Sequence, residues 1–258
     1  MRKIGYTVLL ALLMSSLSSF AQRTIQFAGI EWYVKDGFAG PGPNYWSDSS
    51  KSVWVDSNGF LHLKIRKIRG EWHCSEIYSK QKFGYGEYKF HVASNVEKYA
   101  SNIIVGLFVY ENDSSEIDIE FPNRDSQSML GWYTVQPSPY DDENHERFAL
   151  NLSGDYSTHK FIWRKDNIEF ESYHGHADSL PSPGYLINEW TYDGDYIPKA
   201  GKASLHINFW LNEGQAPGDR KDAELTINWV HIQPQKEVVQ DYIGKFEGAF
   251  PFEGMTEE

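Results

Sequence analysis

Apolar and polar residues alternate with a period of two along most of this chain, and a helical period is nearly absent. Val53-Trp54-Val55 and Leu61-His62-Leu63-Lys64-Ile65 flank Ser57-Asn58-Gly59. That predicts a hairpin whose Asn-Gly pair supplies the positive backbone angles of a tight turn. Residues 160–164 and 168–173 flank Asp166-Asn167 as a second hairpin. Further strands are predicted over residues 84–92, 103–110, 115–121, 204–211 and 224–232. The run 103–110 is the most continuously apolar of these, which suits a central strand. Many short strands, separated by Gly, Asn, Asp and Pro, predict an all-β sandwich of two curved antiparallel sheets. No composition break or internal repeat divides residues 22–234, so the pattern predicts one domain there. The tail, 235–258, differs: an amphipathic piece at 238–243 is followed by Gly, Pro and Phe.

The N-terminus departs from this pattern. Arg2 and Lys3 precede an apolar run at residues 6–14, and Ser19-Phe20-Ala21 offers small residues before a cut at Gln22. This order predicts a secretory signal peptide over 1–21, and the apolar run is too short to span a bilayer core of about 30 Å. The expected location is periplasmic or extracellular, with no membrane span. Loss of Arg2 and Lys3 takes the formal charge from −12 to −14, since residues 1–21 hold no acid. A surface this acidic repels phosphates and argues against a nucleic-acid partner. Cys74 is the only cysteine, so no intramolecular disulfide is available and the fold rests on its core. Aromatic residues make up 16% of the chain, more than a core alone calls for, which suggests that some line a binding surface.

The segment Glu116-Ile117-Asp118-Ile119-Glu120-Phe121 carries the candidate chemistry. On a strand, Ile117, Ile119 and Phe121 point one way and the three acids the other. Three like charges on one face repel, so the arrangement calls either for neighbouring cations on a solvated face or for a chemical purpose. Glycoside hydrolysis with retention needs two carboxyl groups about 5–5.5 Å apart, one as nucleophile and one as proton donor. Glutamates four apart on a strand have α-carbons roughly 13 Å apart, so their side chains would lean together over a concave sheet. Close acids push each other's pKa values apart, which lets one be ionised while another holds a proton.

With these residues in view, the chain resembles the family 16 glycoside hydrolases, a β-jelly-roll group, and within it the bacterial lichenase type. Glu116 to Phe121 match the family's catalytic strand. Ser75-Glu76 with Phe83-Gly84-Tyr85-Gly86-Glu87-Tyr88, Thr158-His159-Lys160-Phe161, Ile207-Asn208-Phe209-Trp210 and Asn228-Trp229-Val230 match further segments in order. The resemblance implies a β-linked polysaccharide as substrate, Glu116 as nucleophile, Asp118 as its electrostatic helper and Glu120 as acid/base. It also implies sugar contacts from Glu76, Tyr133, Asn208 and Trp210. Trp132, on the face alternate to Tyr133, is expected in the core. It requires no cofactor and leaves room for a structural calcium ion. A monomer is expected. No residue is inserted before Glu120, which favours the lichenase-like or xyloglucan-active branch over the laminarinase- and agarase-like one.

Departures cluster around the same strand. Ser114-Ser115 stand where the lichenase pattern has Trp-Asp, Pro122-Asn123 where it has Leu-Gly, and Tyr78 where a basic residue is expected two after Glu76. Glu76 also suits a surface ion pair, and His174-Gly175-His176 suits a turn better than a metal site. Hydrolysis, transglycosylation and non-catalytic glycan binding all remain open on the sequence alone.

Overall fold

The computed structural model describes residues 21–122, 130–137 and 142–235. Residues 1–20 of the predicted signal peptide, Asn123 and the piece at 238–243 lie outside the described residues. Strands are numbered here in chain order. One sheet runs β12 (His145–Phe148), β11 (Gly131–Gln136), β10 (Ser115–Pro122), β9 (Ile103–Asn112), β16 (Ser204–Leu211), β7 (Glu71–Ser79), β2 (Ile30–Val34) and β1 (Thr24–Phe27). The second runs β15 (Leu186–Tyr192), β14 (Ile168–His174), β13 (Ser157–Trp163), β8 (Gly86–Val92), β17 (Ala223–Pro234), β6 (Leu61–Ile68) and β5 (Val53–Val55). A short flap, β3 (Gly37–Ala39) and β4 (Asn44–Trp46), lies against β7 in the one parallel pairing among the described strands. This is the predicted jelly-roll sandwich.

The alternation read from the sequence builds the core between the sheets. Ile117, Ile119 and Phe121 of β10 meet Leu205, Ile207 and Phe209 of β16, Phe90 and Val92 of β8, and Phe161 of β13 in one buried cluster. Each fully buried large apolar side chain contributes roughly 1.5–3 kcal/mol relative to an exposed one. The Asn-Gly hairpin forms as predicted: Gly59 sits at φ +85°, and Asp56 Oδ1 accepts the backbone N–H groups of Asn58 and Phe60, both at 2.9 Å. On β10, pairing with β9 shifts only between Ser115 and Glu116 and is then continuous to Pro122. No bulge therefore separates the three acids. Among the described residues no helix is long and apolar enough to cross a membrane.

Candidate active site

Residues directly opposite in a sheet share a face, so the register lays out the site in rows. Glu116 lies opposite Tyr110 on β9, which lies opposite Ser204 on β16. Asp118 is joined in the next row by Thr134, Phe108, His206 and Tyr78. Glu120 is joined in the third by Trp132, Gly106, Asn208 and Glu76. These rows floor a groove of about 430 Å³ on the face away from the core. Glu76, Glu116, Asp118, Glu120, Asn208 and Trp210 all line it.

Tyr133 does not, and its expected place in the cleft is corrected here. It is fully buried, lies opposite Ile119, stacks on Phe170 at 4.8 Å and donates its hydroxyl to Ser172 Oγ at 2.6 Å. Trp132, expected in the core, takes the groove face opposite Glu120, with the Arg147 guanidinium 5.0 Å from its ring. The two expectations are exchanged because a one-residue error in register flips every side chain to the other face.

The electrostatics of the carboxylate strand follow from burial and from the acids' effect on one another. Burial, then the charges of Glu116 and Glu120, raise the Asp118 carboxyl well above the usual range. Burial likewise pushes Glu116 up to about 7. The hydrogen bond from Asp118 opposes that rise, and the charges of Glu120, Asp113 and Glu76 add to it. Asp118 thus keeps a proton and donates it to Glu116, the group beside it that ionises more readily. The trio titrates as a set rather than as three independent acids.

The rest of the groove offers neutral hydrogen-bonding groups. Asn208 Oδ1 and Trp210 Nε1 are buried and have no partner among the described residues. One is an acceptor and the other a donor, and leaving such groups unpaired costs about 1–3 kcal/mol each. Gly106 makes room for Asn208: a Cβ there would stand 2.4 Å from Asn208 Oδ1. The amide therefore lies over bare backbone, on the side of Asn208 where Glu120 stands.

Several groove residues escaped the sequence reading. Phe108 and Tyr110 follow Gly106 at the strand period on β9, a signal hidden by the apolar residues between them. Tyr110 donates its hydroxyl to Asp113 Oδ1 at 2.8 Å beside Glu116. Lys35 reaches the groove from the far edge of the sheet and pairs with Glu76 at 2.6 Å. No local pattern links positions so far apart. His174-Gly175-His176 is a turn with Gly175 at φ +78°, and His176 Nε2 lies 2.8 Å from Val92 O. Cys74 is fully buried. No group of three or more His, Cys, Asp or Glu side chains is arranged to hold a metal ion among the described residues.

Known proteins bear on this geometry. Two curated proteins called β-glucanase, both from Acetivibrio thermocellus, match the chain. One is 30% identical over 173 residues, covering 58% of this chain and 50% of its own length. The other is 28% identical over 183 residues, covering 58% of this chain and 53% of its own. The chain thus spans about half the length of these relatives. Among solved structures, the Bacillus licheniformis β-glucanase superposes with a TM-score of 0.61 at 20% identity, covering 79% of this chain and 92% of its own. A prokaryotic β-1,3-1,4-glucanase (lichenase) from a mouse hindgut metagenome gives 0.59 at 20% identity, covering 79% and 93%. The sequence model of the glycosyl hydrolases family 16 matches residues 43–231, a span that holds the whole carboxylate strand and most of the groove, and the chain belongs to that family.

Proposed function

We propose that this protein is an exported, endo-acting hydrolase of a β-glucan-type polysaccharide that works by double displacement with retention. The observation that carries the reading is the unbroken pairing of β10, which puts Glu116, Asp118 and Glu120 on one face of one groove. Glu116 attacks the anomeric carbon as the carboxylate. Glu120 protonates the departing oxygen, then takes a proton from the water that hydrolyses the glycosyl-enzyme. Asp118 keeps its proton and donates to Glu116, orienting the nucleophile and spreading its charge. The rows of the groove run across several strands, which suits a polymeric substrate, and Trp132 on that face offers a ring on which a pyranose can stack. The two reacting groups are carboxyls, so the chemistry itself calls for no cofactor.

The test is a panel of β-glucans with product sizing and anomeric analysis, on the wild type and on Glu116→Gln and Glu120→Gln. The expected result is internal cleavage with retained configuration, and loss of rate by orders of magnitude in both variants. Cleavage that survives both substitutions would overturn the assignment. Binding without any reducing-end release across the panel would mark a glycan-binding protein. Longer products on adding an acceptor sugar would mark a transglycosylase.

A further inference from the structure

Glu76 is buried, at 3% exposure, yet the sequence places no cation near it on its own strand. The structure supplies one from elsewhere. Lys35, just past the end of β2 and before the residues that match the family model, directs Nζ to Glu76 Oε2 at 2.6 Å. The same ammonium donates to Gly40 O at 2.7 Å and lies 4.2 Å from the centre of the Trp46 ring. An ammonium has three N–H bonds, and these neighbours offer it three partners. The Lys35 backbone N–H also donates to Glu76 O at 3.0 Å. On the other side, His206 Nδ1 lies 2.9 Å from Glu76 Oε1. The imidazole is stacked between Phe108 at 4.8 Å and Tyr78 at 5.4 Å. Tyr78, at the position where a base was expected, thus supports the histidine.

We propose that Lys35 is a positioning residue that clamps Glu76 for sugar binding and does not touch the sugar itself. This rests on the glycan-binding part of the function proposed above. Each Glu76 oxygen has one protein partner and retains acceptor capacity, since an ionised carboxylate has about four lone-pair sites. Those remaining sites, beyond Asn208 in the row that leads to Glu120, take hydroxyl protons of a sugar unit along the groove. Without Lys35 the carboxylate would be a buried charge with one aromatic-bound histidine for company, and would turn away from its place in the groove.

The experiment is a double-mutant cycle on Lys35→Met and Glu76→Gln, with Lys35→Arg as the conservative variant. Binding is read by affinity electrophoresis in gels containing β-1,3-glucan or mixed-linkage β-glucan, and KM and kcat are measured on whichever is cleaved. Lys35→Met is expected to weaken binding and raise KM by about tenfold, as loss of one partner of a buried charge pair does, with kcat within about threefold. Lys35→Arg is expected to recover most of that loss. In the Glu76→Gln background, Lys35→Met is expected to add less than about twofold, because no charge remains to clamp. The double variant, which removes both charges, also guards against a folding defect in the single one. An equal loss from Lys35→Met in both backgrounds would overturn the proposal in favour of direct sugar contact, and no loss in either would overturn it outright. Failure of the wild type itself to bind or cleave any glucan would instead overturn the proposed function.

Discussion

Glu116→Gln should stabilise the protein in alkaline solution while abolishing its chemistry. Glu116 has a folded-state pKa of about 7 against an ordinary value of 4.5, chiefly because it is buried. A carboxyl whose pKa is raised by folding favours the folded state while protonated. That contribution is complete below about pH 4.5 and is lost as the pH rises through about 7. Raising that pKa from 4.5 to about 7 corresponds to an upper bound of about 3 kcal/mol lost by the wild type over that window. Glutamine keeps the shape and still accepts the hydrogen bond from Asp118, but never ionises. Asp118 also loses a charged neighbour in the variant, which adds to the effect with the same sign. Urea unfolding followed by tryptophan fluorescence at pH 4.5, 6 and 8 measures the difference. The variant is expected to gain on the wild type steadily with pH, reaching about 2–3 kcal/mol at pH 8, several degrees in Tm for a domain of this size. A difference that stays flat with pH, or falls, would refute the view that burial raises the Glu116 carboxyl in the groove.

The same titration should appear in catalysis: with Glu116 attacking as the anion, kcat/KM is expected to rise with pH toward a limb near 7, and Asp113→Asn, which removes one of the charges holding that value up, should shift the limb to lower pH. Gly106→Ala places a methyl 2.4 Å from Asn208 Oδ1 and should raise KM by about tenfold with little change in Tm, checked by steady-state kinetics beside thermal unfolding. Trp132→Ala should weaken glycan retention in affinity gels, whereas Tyr133→Phe should leave retention unchanged and cost about 1 kcal/mol of stability through its lost bond to Ser172; the opposite pattern would restore Tyr133 to the cleft.

What the sequence disclosed and what it hid divide along one physical line. A strand's two faces are written in its own alternation, so Ile117, Ile119 and Phe121 declared the core and the intervening acids declared the groove. The face of β16 was legible for the same reason, and Asn208 and Trp210 line the groove as expected. On β11, Gly-Trp-Tyr-Thr-Val puts large side chains on both faces, and the pattern cannot say which ring is inside. Only the pairing of Ile119 with Tyr133, fixed by neighbours on another strand, decides it. Lys35 is hidden more deeply, because its partner lies 41 residues away and the two meet only where β2 pairs with β7. Tyr78 looks like the loss of a cation when read in order along β7. Across the sheet, that cation comes from just past the end of β2 while the tyrosine holds a histidine against the same carboxylate. The groove's charge balance is therefore a property of the row of strands, and substitutions along any one strand have to be weighed against what its neighbours can supply.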